Sequence, residues 1–316
     1  MSPLLHWPGS SSAFSAPVRR ERMEIGPAVI AYQTAGIGDP LVLIHGLSGS
    51  GRWWAKNLEA LARQFTVYIV DLIGFGRSRG RHPFVLGEAA EYLARWLDRL
   101  GIERTSVVGH SMGGVIALDL AARYPERTDR MVLAAPPALP APGYLRHVPG
   151  LLHALRHVPF GFLSVLAYDA ARTGPRTLSS AAAQLLEVST AELERVEAPS
   201  LLVWGEHDTL VPRAVGRELC HRLLRAEMVL VPGAGHVPMW ERPVQFNHLA
   251  LTFLTAPDSL SPDNSVVESG LSSSGVARLS CGKTGDAETE ECHGAGVRAD
   301  QDAGWRNDDR PGDPAA

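Results

Sequence analysis

The chain predicts an α/β fold: a mostly parallel, doubly wound sheet with helices on both faces. Three observations carry this. Short, β-branched apolar runs alternate with stretches of helical periodicity between residues 23 and 256. Most of those runs are apolar throughout, as expected of strands covered on both faces. One connection, from Pro136 to Ala198, holds no strand signal, and in such a sheet it reads as an inserted helical cap.

Residues 1–17 form an N-terminal extension that is expected to be flexible. They hold no basic residue and no continuous apolar block, so they do not read as a signal peptide. An antiparallel pair, 19–25 and 29–32, turned at Gly26-Pro27, precedes the main sheet. The strands that follow are expected at 41–45, 66–71, 105–109, 130–135, 200–204 and 227–231. The clearest helix is 86–100, with Ala90, Leu93, Ala94 and Leu97 on one face. Others are read at 115–123 and 218–224. These elements assign residues 18–136 and 198–256 to the core and 137–197 to the cap. Within the cap Leu-Arg-His-Val-Pro occurs at 145–149 and again at 155–159. Two copies are too few for a solenoid, and they read as two short helices, each ended near its proline.

Residues 257–316 differ from the rest. Twelve acidic against five basic residues give this stretch a charge of −7, leaving +3 on the preceding 256, and Trp305 is its only aromatic. Such a composition cannot bury enough apolar surface to offset the entropy of ordering, so a disordered acidic tail is expected.

The whole chain of 316 residues is 45% hydrophobic, enough to bury a sizeable core, and its net charge of −4 points to neither nucleic acid nor an anionic membrane. No apolar run approaches the roughly 20 residues of a transmembrane helix. Three cysteines are too few for a disulfide framework. Cys220 reads as an inert thiol in a helix, and a reducing, cytoplasmic setting is the simplest expectation. Cys281, Cys292 and His293 lack a fourth ligand at regular spacing, so no metal is expected.

The chemistry is concentrated in a few motifs. Gly109-His110-Ser111-Met112-Gly113 follows one expected strand and opens a helix. That is the context of a nucleophile elbow, a tight turn that lifts a serine hydroxyl clear of the sheet. A serine hydroxyl needs a base. His236, after Pro232-Gly-Ala-Gly235, lies just past the last expected strand, at the ligand-facing end of a parallel sheet. The base needs an acid to hold its tautomer. Asp208, in Gly205-Glu-His-Asp208, follows the strand at 200–204; Glu206 is the rival, two residues nearer that strand. The backbone N–H groups of Leu47, in His45-Gly46-Leu47-Ser48-Gly49, and of Met112 are the candidate oxyanion donors. His45 reads as a brace for its loop, and Asp71 and Ser78 as turn-forming residues.

Taken together, His45-Gly46, Asp71…Gly74…Gly76…Ser78, Gly-His-Ser-Met-Gly-Gly, Gly-Glu-His-Asp208 and Gly-Ala-Gly-His236 resemble the α/β-hydrolase superfamily over about residues 20–255. The resemblance implies an α/β-hydrolase fold with an eight-stranded sheet, no cofactor, and a cap over the active site. Relatives that are epoxide hydrolases or haloalkane dehalogenases carry Asp where this chain has Ser111, so ester-type acyl chemistry is the expectation. Relatives that cleave C–C bonds of ring-cleavage products typically show Asn where this chain has His110, and a His-Gly-x-Gly-Pro-Gly loop where it has His45-Gly-Leu-Ser-Gly-Ser50. The expected substrate is a small-molecule carboxylic ester. Lactonase, thioesterase and C–C bond hydrolase are alternatives on the same fold, and a non-catalytic ligand receptor is the alternative of another class.

Overall fold

A computed structural model describes residues 17–80, 82–138, 158–187, 192–257 and 277–280. One sheet organises them, in the order β1-β2-β4-β3-β5-β6-β7-β8-β9. β1 (Arg19–Ile25) and β2 (Ala28–Ala35) form the expected antiparallel hairpin, with Gly26 at φ +60° in its turn. β3 (Asp39–Ile44), β4 (Phe65–Asp71), β5 (Thr105–His110), β6 (Thr128–Ala134), β7 (Ser200–Gly205) and β8 (Ala226–Val231) run parallel. These eight are the strands read from the sequence, each within a few residues of its expected bounds. A ninth, β9 (Ala277–Ser280), pairs antiparallel with β8. It comes from the stretch expected to be a disordered tail; its four residues correct that reading locally. The remainder of that stretch, with Cys281, Cys292 and His293, lies outside the described residues.

Successive residues of the parallel strands enter two separate cores. Val42, Ile44, Leu202 and Trp204 face one, while Leu41, Leu43, Leu201 and Val203 face the other. This period of two, with both faces covered, is why these strands read as unbroken apolar runs. α1 (Leu58–Leu61) is short; α2 (Leu86–Leu100) buries the predicted face, together with Trp96. Burial of side chains such as Trp96 and Leu97 stabilises the fold by about 1.5–3 kcal/mol each. Gly101, at φ +70°, ends α2 by returning its N–H to the Leu97 and Asp98 carbonyls. α3 (Met112–Arg123) begins three residues earlier than its pattern suggested, directly after Ser111. It is buried nearly all round, so its first turn shows no amphipathic signal.

The insertion between β6 and β7 is helical where described. α4 (Phe160–Thr173) and α5 (Pro175–Leu186) account for most of it. The repeated pentapeptide lies largely outside the described residues. Pro159, expected near the end of a short helix, instead precedes the first turn of α4, a position where a missing N–H costs nothing. α4 is tied down by Asp169, whose buried carboxylate accepts from Ser50 Oγ (2.7 Å) and from Arg52 (2.9 Å). Burial raises the Asp169 carboxyl, while the Ser50 hydrogen bond and the Arg52 charge oppose that rise. α5 is joined to α2 by Gln184, which accepts the Leu86 N–H at 2.8 Å.

After β7 come α6 (Arg213–Arg222), α7 (Pro238–Glu241) and α8 (Pro243–Leu254). The expected helix at 218–224 is shifted: α6 starts five residues earlier, after Pro212, and ends at Arg222. Cys220 on α6 is buried and disulfide-bonded, not the inert thiol expected from the sequence. No helix among the described residues is long and apolar enough to cross a membrane.

Candidate active site

Ser111 occupies the turn between β5 and α3 at φ 51°, ψ −119°, a conformation costing about 1–3 kcal/mol for a residue with a side chain. The crossing tolerates no bulk around it. A Cβ on Gly113 would stand 2.3 Å from the Ile44 carbonyl oxygen, and one on Gly109 would stand 2.5 Å from the Gly113 carbonyl oxygen. The Ser111 N–H is anchored to the Ala134 carbonyl at 2.8 Å. The strained residue is therefore locked between β5 and β6, with its hydroxyl at the carboxyl ends of both.

Asp208 and His236 meet at the carboxyl ends of β7 and β8. His236 Nδ1 lies 2.9 Å from Asp208 Oδ2, and the Asp208 side chain is fully buried. The other Asp208 oxygen accepts the Leu210 and Val211 N–H groups, both at 2.9 Å. Glu206, the rival acid, is exposed and accepts instead from the Gly233 N–H at 3.0 Å. The two loops press together: His207 N–H bonds the Ala234 carbonyl at 2.8 Å, and a Cβ on Gly205 would fall 2.0 Å from the Gly235 carbonyl oxygen.

His110 connects the His236 loop to the elbow. Its ring lies 4.9 Å from that of His236, centroid to centroid, and its Nε2–H donates to the His236 carbonyl oxygen at 2.8 Å. Among the described residues no hydrogen bond joins Ser111 Oγ to His236 Nε2, a contact that commonly closes only in the Michaelis complex.

The loop after β3 faces the elbow. A Cβ on Gly46 would lie 3.1 Å from Ser111 Cβ, so the loop backbone passes directly over the serine. His45 braces it through both ring nitrogens. Nδ1 donates to the Gly46 carbonyl at 2.8 Å and Nε2 accepts the Leu72 N–H at 3.0 Å. Leu47 follows on this braced segment, half-buried, with Ser48 at φ 63° after it. The Leu47 N–H has no partner among the described residues, and Met112, the first residue of α3, has none within its helix. Asp71 and Ser78 behave as turn residues. Asp71 accepts from Gly51 and Arg77 N–H groups, and Ser78 Oγ donates to the Asp71 carbonyl. Aromatic rings wall the site: Trp53 lies 5.5 Å from His110, Phe162 of α4 lies 5.0 Å from Trp53, and Trp240 lies 5.2 Å from Phe162.

Known proteins share this fold. The profile of the alpha/beta hydrolase fold family matches residues 39–196 and 137–243. The chain belongs to this family. Among its relatives is a proposed carbamate hydrolase, RutD, of Caulobacter sp. strain K31, 30% identical over 68% of this chain and 90% of the relative. A 2-hydroxy-6-oxononadienedioate/2-hydroxy-6-oxononatrienedioate hydrolase of Burkholderia vietnamiensis is 30% identical over 71% and 90%. The pimeloyl-[acyl-carrier protein] methyl ester esterase of Vibrio cholerae is 29% identical over 71% and 97%.

Two contributors to this alpha/beta hydrolase site had escaped the sequence reading. Glu241 accepts the Gly235 and Val237 N–H groups on either side of His236, at 2.6 and 3.1 Å. Trp53 comes from a segment with no motif. His110 was visible inside the elbow motif, but nothing in the sequence shows that its ring turns toward His236.

The buried histidines predict that this alpha/beta hydrolase loses stability in acid. Burial pushes His45 and His110 below the ordinary value of 6.5, and for His110 the neighbouring His236 adds to the effect. The unfolded chain binds those protons near 6.5 and the folded chain does not, so stability is full above that value and falls as pH drops below it. Each histidine contributes up to about 1.4 kcal/mol per pH unit. Burial raises Asp119 and Asp169, which act in the opposite sense nearer the carboxylate range. Urea unfolding at about pH 7, 6 and 5 should therefore show a falling free energy. A flat profile would mean that these rings protonate freely in the folded state.

Proposed function

We propose that the chain is a serine hydrolase of small, apolar carboxylic esters that works through an acyl-enzyme. The observation that carries this reading is the 2.9 Å contact of His236 with buried Asp208, next to a serine on a glycine-flanked, positive-φ elbow. In this reading Ser111 Oγ attacks the ester carbonyl as His236 Nε2 takes its proton. Asp208 holds the Nδ1–H tautomer and stabilises the imidazolium. The Leu47 and Met112 N–H groups bind the tetrahedral oxyanion. His236 returns its proton to the leaving alcohol as the C–O bond breaks. Water, deprotonated by His236, then releases the acid and restores Ser111.

Apolar selectivity follows from the rings of Trp53, Phe162 and Trp240, with α4 in the role of a cap. Each buried methylene is worth about 0.8 kcal/mol, near fourfold in kcat/KM. Specificity should rise along acetyl, butyryl and hexanoyl esters of one alcohol. A steady decline from acetyl would refute an open apolar acyl pocket. Product release limited to one burst, without turnover, would favour a receptor.

The 30% identity to the Burkholderia vietnamiensis hydrolase supports a second reading, hydrolysis of a C–C bond in a ring-cleavage product. Turnover of a phenyl ester, a lactone, an acyl thioester and a dienoate of that class, compared on one preparation, separates these chemistries.

A further inference from the structure

We infer that His110 is a positioning residue for the base: by donating its Nε2–H to the His236 carbonyl, it ties the backbone of the catalytic histidine to the residue beside the nucleophile. This rests on the proposed roles of Ser111 and His236.

The argument begins with the loop. His236 follows Pro232-Gly-Ala-Gly235, with Gly233 at φ +63°, a segment whose backbone has little local preference of its own. Asp208 fixes the imidazole and Glu241 fixes the flanking N–H groups. Neither relates the loop to the end of β5, which Ser111 follows. The 2.8 Å bond from His110 does so directly. His110 is itself enclosed: 1% exposed, at the end of β5, with Trp53 5.5 Å from its ring. Its chemical state is equally fixed. Burial and the neighbouring His236 keep it well below the ordinary histidine range, so it stays neutral. The bond to a carbonyl requires the proton on Nε2. Nδ1 is then a bare acceptor, and it has no partner among the described residues. His110 therefore neither competes as a base nor switches tautomer when His236 becomes charged.

The consequence is geometric. Ser111 Oγ and His236 Nε2 are held in register by one covalent neighbour and one hydrogen bond. A misplacement of about 1 Å at a reacting centre can cost about 100-fold.

The test uses three variants of the full chain, with melting temperature recorded for each. In His110→Gln the amide nitrogen can reach the place of Nε2; in His110→Asn it falls near the place of Nδ1; His110→Leu has no donor. The expected order in kcat on a short-chain phenyl ester is Gln well above Asn, with Asn close to Leu. His110→Leu should fall about 10–100-fold, with KM changed less than about threefold, because the rings that bind substrate remain. His110→Gln should recover at least about tenfold over His110→Asn. Equal losses in Gln and Asn variants, or a Leu variant with wild-type kcat, would overturn the inference. If His110→Leu fails to fold, the Gln–Asn comparison decides alone. Ser111→Ala is run beside them. Retained activity in that variant would show that the nucleophile itself is misassigned, an outcome separate from any ranking at residue 110.

Discussion

Ser111→Ala should lower kcat at least about 10³-fold while leaving the melting temperature nearly unchanged. The two halves of this expectation have separate physical origins. The rate falls because no other group stands at the elbow to form the acyl-enzyme. What persists is the part supplied by the oxyanion donors and by binding alone. The fold survives because Ser111 Oγ has no hydrogen bond to another described residue, not even as a cap of α3, so its removal leaves no partner orphaned. Alanine keeps the same Cβ, so the strain at φ 51° is the same in both proteins. A fluorophosphonate probe should label the wild type at Ser111 and leave the alanine variant unlabelled. Labelling of the variant, or full turnover by it, would sink the assignment.

Asp208→Asn comes next in size, with an expected loss of up to about 10⁴-fold in kcat. Asp208 serves two masters. One oxygen accepts from the Leu210 and Val211 N–H groups and the other from His236. Asparagine can still offer its carbonyl oxygen to the two backbone donors, which preserves the turn. Its amide nitrogen then faces His236 Nδ1 as a donor. That forces the imidazole into the Nε2–H tautomer, in which Nε2 cannot accept the serine proton. Fold retention with lost turnover is thus the signature expected of this variant. Glu206→Gln is the matched control: the Glu206 side chain is exposed, and among the described residues its carboxylate meets Gly233 and His207. A larger loss from Glu206→Gln than from Asp208→Asn would reassign the acid.

Much of this arrangement was legible in the residues because its causes are local. The parallel strands are buried on both faces, so each announces itself as an apolar run. The elbow needs glycine at 109 and 113 for reasons of backbone clearance alone. Asp208 and His236 could be chosen because both follow strands at the ligand-facing end of the sheet. What stayed hidden depends on contacts distant in sequence. Asp169 is one of several polar residues on α4 until Ser50 and Arg52, more than a hundred residues earlier, are seen to meet it. Glu241 reads as an ordinary helical glutamate until the Gly235 and Val237 N–H groups turn toward it. The start of α3 was missed because a helix buried on all sides has no periodic face to reveal its first turn. β9 was missed because composition speaks of an average over sixty residues, and four residues can still pair with an open edge when β8 offers one.

The opposite margin of the sheet ends on β1, and its outward character has a bearing on how copies of this protein behave toward one another. β1 presents Arg19, Arg20, Glu21, Arg22 and Glu24 to solvent along its length. An edge strand bears unpaired backbone donors and acceptors that another chain could extend into a continuous ribbon. Charged side chains at close intervals make such stacking costly, since a second strand laid along β1 would have to strip their water. A charged edge of this kind is the feature by which sheets discourage a second chain from adding on, and here it stands in front of strands as hydrophobic as the core demands.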